Sequence, residues 1–202
     1  MGGFSGDAGL AMGVIAGFGL AFVAPFLIRG LGPRAFALLA LYPASLFAFF
    51  LGTPSSEFAW TWVESFGIDL ALRVDGLARV FALLISGLGA LILLYASGYF
   101  KPKPRLGRFA GSFVGFLAAM LGLVLSDDVI SLFLFWELTS ITSFLLIGFY
   151  HEEAESRTSA NQAFLLTGAG GLAMFVGLLM LGAGQGTFRL SEMESAVRMP
   201  LA

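Results

Sequence analysis

The sequence predicts an all-α integral membrane protein of about six transmembrane helices, with a short extramembrane β-hairpin between the second and the third. Three observations carry this. Apolar residues make up 58% of the 202 residues and charged residues 12%, with a mean hydropathy of +0.91. Soluble domains average about 45–50% apolar and about 25% charged, so too few charges are present to cover a water-soluble globule. Apolar runs of membrane length recur almost end to end. One stretch alone shows period-two alternation around a glycine-containing turn. The same composition argues against a soluble enzyme and a disordered chain. With 11 Lys+Arg against 13 Asp+Glu there is no basic excess for a nucleic-acid partner. The lack of cysteine excludes disulfides, thiolate metal sites and cysteine nucleophiles.

A span needs about 20 mostly apolar residues. The first runs over residues 8–28 and stops at Arg29-Gly30 and Pro33-Arg34; without a basic leader or a small-residue cleavage site it reads as a retained helix. The second covers 35–51, contains Pro43 and stops at Gly52-Thr53-Pro54. In residues 55–75, Phe58, Trp60 and Trp62 alternate with small or polar residues, and Ile68, Leu70, Leu72 and Val74 do the same after Glu64-Ser65-Phe66-Gly67. That is the pattern of a hairpin outside the bilayer, its tryptophans suited to headgroup level. Spans follow at 75–99, 108–125, 128–150 and 160–182, with Pro102 and Pro104 separating the first two of these. Asp127 and Asp128 are placed to cap the fifth span. Residues 183–202 are too polar to cross; Ser191 and Glu194 there suit a capping box for a surface helix. The chain therefore divides into 1–54 (two helices), 55–75 (hairpin), 76–182 (four helices) and 183–202 (polar tail, with further helices expected beyond it).

Arg29, Arg34, Lys101, Lys103, Arg105, Arg108 and Arg157 fall on one side of this layout, and Arg73, Arg79, Arg189 and Arg198 on the other. The basic bias puts both termini outside.

Glu137 stands apart. Nine residues past Asp128, at 1.5 Å per residue, it lies about 14 Å into a core of about 30 Å. A carboxylate costs about 2.5–3.5 kcal/mol at that depth on insertion scales, so it points at a partner or at water. Two readings are open: a proton or cation site, or a protonated Glu bonded to a neighbouring helix. Thr139 and Ser140, with Thr142 and Ser143 beyond, form a candidate polar pathway, or else bond back to their own helix. The glycine stripes Gly107-Gly111-Gly115 and Gly168-Gly170-Gly171-Gly177 are close-packing faces. His151, beside Glu152 and Glu153, reads as a solvated loop residue. Neither a metal site, a cofactor nor a catalytic triad is expected.

The stretch from Trp136-Glu137-Leu138-Thr139-Ser140 to Ile147-Gly148 resembles the fifth-helix signature of the antiporter-like membrane proteins, and Val74-Asp75-Gly76-Leu77 looks like their upstream motif. That family includes the proton-pumping subunits of complex I and the Mrp-type multisubunit Na+/H+ antiporters. The uncharged start of the sixth span, Thr167 to Met174, and the Leu138-Thr139-Ser140 variant of the signature resemble the A subunit of the Mrp antiporters, over its N-terminal portion. The resemblance covers residues 58–190. It implies a transporter component rather than an enzyme, in the inner or plasma membrane, with the lipid bilayer, other antiporter subunits, protons and a monovalent cation such as Na+ as partners. In the family the Glu at the position of Glu137 works with a Lys on the next helix but one; no Lys follows Glu137 in this sequence. The resemblance thus implies an N-terminal fragment or one half of a split subunit. One alternative is a complex I-like proton-translocating subunit. The other is a transport-incompetent fragment with an assembly role.

Overall fold

The computed structural model describes residues 4–6, 8–63, 68–101 and 105–198. Helix α1 (Ala8–Leu31) leads through a single 3-10 turn (Gly32–Arg34) into α2 (Ala35–Leu39) and α3 (Leu41–Gly52). Gly32 takes a positive φ of 64°, which a side chain rarely tolerates, and the chain reverses there. Tyr42 on α3 donates its hydroxyl to Gly13 O on α1 at 3.0 Å, and Leu46 lies against Gly13, so the two legs run back to back. The expected second span is thus interrupted. Pro43 has no N–H for Leu39 O, and the helix is broken at Ala40 between α2 and α3.

Strands β1 (Phe4–Gly6), β2 (Ser56–Val63) and β3 (Ile68–Val74) follow the order β1-β2-β3, all antiparallel. The expected hairpin is present as β2 and β3, its turn at 64–67 lying outside the described residues. The additional strand β1, pairing Phe4 with Trp60, is too short to show a pattern in sequence. Cross-strand pairs Phe58–Leu72, Trp60–Leu70 and Ser56–Val74 share one face, and Phe58, Leu72 and Val74 are buried against the helix ends. Trp60 packs onto that core.

Helices α4 (Gly76–Tyr99), α5 (Leu106–Leu125), α6 (Val129–Ile147) and α7 (Ala154–Gln185) complete the bundle, and α8 (Leu190–Arg198) closes it. Asp75 caps α4 by accepting from Ala78 N at 2.7 Å. The 32 residues of α7 measure about 48 Å. It begins at Ala154, inside the stretch expected to be a polar loop, because that stretch has no proline or glycine to stop it. Among the described residues, five helical stretches are long and apolar enough to cross a membrane. The first of them, Ala8–Gly52, doubles back at Gly32, so the bundle has six legs.

α5 is the central leg, packed by α1, α4 and α6. Its stripe works as expected: a Cβ on Gly107 would lie 3.0 Å from Pro25 Cα, and one on Gly111 would lie 2.8 Å from Ala21 O. Ala21 O is the carbonyl that Pro25, four residues on, has no N–H to pair with. The sixth-span stripe is mostly uncovered within this chain. Gly168, Gly170 and Gly177 face open space, and of the four only Gly171 is seated against a neighbour.

The candidate Glu137 site

α6 starts where Asp128 accepts from Ile130 N at 2.8 Å and Ser131 N at 3.2 Å. Asp127, expected to serve the same helix, caps another. Its carboxylate accepts from Ser191 N at 2.9 Å and the Ser191 hydroxyl at 2.7 Å, and its carbonyl accepts from Leu190 N. Ser191, expected to cap this helix, is itself held by a carboxylate 64 residues away. Asp127 N–H also donates to Ala71 O on β3. One buried turn, 126–128, thereby joins the sheet, the start of α6 and the start of α8. This fixes where α6 begins, and hence the depth of Glu137.

Glu137 is the ninth of 19 residues in α6, at the midpoint of the helix. α6 and α7 meet along Phe133–Phe175 (rings stacked, centroids 4.1 Å apart), Trp136 and Glu137 against Gly171, and Phe144–Phe164. Trp136 Nε1–H donates to Thr167 O at 3.3 Å. A Cβ at Gly171 would fall 2.6 Å from Trp136 Nε1 and 2.9 Å from Glu137 Oε1. Gly171 is thus the seat of both side chains, a role nothing local in the sequence announces because the two positions are 34 residues apart. Glu137 Oε1 is buried and accepts no hydrogen bond. An unpaired buried acceptor costs about 1–3 kcal/mol.

The candidate pathway hydroxyls are turned inward on their own helix. Thr139 and Ser140 donate to Trp136 O at 2.7 and 3.1 Å, Thr142 to Leu138 O at 2.7 Å, and Ser143 to Ser140 O at 3.0 Å. This is the helix back-bonding foreseen as the other reading. A cavity of about 340 Å³ near the sheet is lined by Arg73, Asp75, Asp127 and Glu194, all remote in the fold from Glu137. His151 lies exposed at the opposite end.

The family model "NADH:quinone oxidoreductase/Mrp antiporter, TM" matches residues 126–201, the segment that holds α6, Glu137 and α7. The chain resembles the antiporter-like membrane proteins, and among them an N-terminal portion of the Mrp-type A subunit. A second family model, "NADH-Ubiquinone oxidoreductase (complex I), chain 5 N-terminus", matches residues 60–110. A probable K(+)/H(+) antiporter A/B subunit from Rhizobium meliloti (strain 1021) is 47% identical over 129 residues, covering 64% of this chain and 13% of that protein. An Na(+)/H(+) antiporter A1 subunit from Staphylococcus aureus (strain JH9) is 44% identical over 132 residues, covering 65% of this chain and 16% of the relative. The chain thus spans 13–16% of the length of these relatives. The solved Mrp complex from Dietzia sp. DQ12-45-1b superposes with a TM-score of 0.86 at 34% identity, over 92% of this chain and 20% of the matched one. A membrane-bound sulfane sulfur reductase, an archaeal respiratory complex, shares the fold with a TM-score of 0.71 at 21% identity, over 93% of this chain and 39% of that one. With its membrane-length helices, this antiporter-like chain is a multi-pass plasma-membrane protein.

Proposed function

We propose that the chain is part of a multisubunit monovalent cation/proton antiporter, a transporter component and not an enzyme, and that Glu137 is its proton-handling residue. The observation that carries this is the buried, unpaired Oε1 of Glu137 at the midpoint of a membrane-length helix. A carboxyl oxygen that accepts no hydrogen bond from the protein is open to a proton or to a nearby cation. The family resemblance implies that such a cation is a Lys on a neighbouring helix. The two relatives are named for different cations, K(+) and Na(+); Na+ is the proposed one here. Their antiporter names favour this reading over a complex I-like proton-translocating subunit.

The test is proton flux in membrane vesicles carrying all partner subunits, with complex abundance measured in parallel. Glu137→Gln keeps size and most hydrogen bonding but removes titration, and is expected to abolish cation-dependent proton exchange at normal abundance. Glu137→Asp should retain part of it. Wild-type flux from the Gln variant removes Glu137 from the mechanism and leaves a structural or assembly role.

A further inference from the structure

At the end of the bundle opposite the sheet, a cavity of about 250 Å³ opens between the first turn of α5, the last turn of α6 and the start of α7. Arg108, His151, Arg157 and Asn161 line one side, and Phe144 and Leu145 the other. We propose that this cavity binds the phosphate group of an anionic phospholipid.

The charge balance is the first argument. Arg108 Nη2 donates to Phe149 O at 3.0 Å, and Arg157 Nη1 donates to His151 O at 2.7 Å and to Glu152 O at 2.9 Å. These carbonyls fix both guanidinium groups without neutralising them. Among the described residues neither forms an ion pair, and the nearby Glu152 is already engaged by Arg105. Glu153 and Glu155 stand exposed on the same segment but do not line the cavity. Arg108 Nη2 also lies 3.4 Å from His151 Nδ1, so the imidazole stands beside that guanidinium on the cavity wall. Two oriented guanidinium groups present the planar donor forks that suit phosphate oxygens.

Position is the second. The 19 residues of α6 measure about 28 Å, so with Asp128 at one boundary the cavity lies at the opposite headgroup level. Its apolar wall continues onto Leu145, Ile147 and Phe164, which are 38–43% exposed on the bundle surface. An acyl chain covers that wall; inorganic phosphate has nothing to lay on it. Basic pockets at the ends of membrane helices recognise anionic headgroups in this way.

The experiment uses the full complex that carries the chain, reconstituted in phosphatidylcholine vesicles. A trace of phosphatidylglycerol bears a photoactivatable group on its acyl chain, and labelled peptides are mapped by mass spectrometry. Labelling is expected within residues 144–164 and should exceed that by the equivalent phosphatidylcholine probe. Each basic residue near an anionic lipid is worth about fivefold, so R108Q with R157Q should lower labelling about 25-fold. R108K with R157K preserves the charge without the planar fork and should restore part of it, which separates loss of the site from disturbance of the loop. Excess inorganic phosphate should not compete. Equal labelling by the two lipid probes, no response to the double Gln variant, or failure of the double Lys variant to restore labelling overturns the proposal. Competition by inorganic phosphate overturns it in favour of a free-anion site. None of these outcomes depends on Glu137 or on antiport.

Discussion

α5 and α7 are both glycine-rich apolar helices of membrane length, and the fold uses them in opposite ways. Half of the most apolar stretch of α5 is buried, against 6% for α7. On α5, Gly107 and Gly111 bring backbone against backbone, the α1 side being Pro25 and the carbonyl of Ala21. On α7, Gly171 holds two side chains, Trp136 and Glu137, while Leu165, Leu166 and Met180 remain 69–75% exposed. A glycine therefore means different things in the two places. Against a backbone it sets the distance between helices; against a side chain it sets where a functional group points.

The same substitution should separate the two roles. Gly111→Ala puts a Cβ 2.8 Å from Ala21 O, a backbone atom that cannot swing aside. Overpacking of this kind costs about 1–3 kcal/mol. The expected result is the largest in this comparison: a clear fall in thermal midpoint and in complex abundance, read in detergent extracts. Unchanged abundance would show that α1 and α5 adjust freely, and would remove the distinction.

Gly171→Ala strikes the ends of two side chains, which can rotate away. Abundance should change little, whereas proton exchange in vesicles should fall several-fold because Glu137 is re-aimed. A loss of abundance equal to that of Gly111→Ala would make Gly171 a packing residue only.

The smallest effect is expected at the loop that joins α6 to α7. The Arg105 guanidinium hydrogen-bonded to Glu152 holds that carboxyl below its ordinary value of 4.5. A lowered folded-state value means the pair's contribution is fully present above about 4.5 and is lost as pH falls through the lowered one. Both residues are exposed, and exposed pairs contribute little. Glu152→Gln should therefore leave the thermal midpoint at neutral pH within error and flatten only its acid limb. A shift at pH 7 comparable with that of Gly111→Ala would show that this loop, not the α1–α5 contact, limits stability.

Much of the architecture was legible because membrane burial acts on every residue of a span: lipid leaves the backbone no partner but itself, so composition and length announce each helix. The hairpin showed through period-two alternation at Phe58–Trp60 and Leu70–Val74, and Glu137 through the cost of its depth. Asp128 was legible as a cap because a cap acts within its own turn. What lay beyond local sequence were relations between distant segments: β1 on β2, Asp127 on Ser191, Gly171 under Glu137. These depend on which legs become neighbours, and no pattern within a single leg encodes that. The break at Ala40 came from Pro43, already visible in sequence, but its form as two separate helices depends on how α1 and α3 pack. The sequence by itself thus determined the solvent, the number of legs and the one costly carboxyl; tertiary structure alone decided which glycine seats that carboxyl and that its Oε1 goes unpaired, because both follow from the approach of α7 to α6.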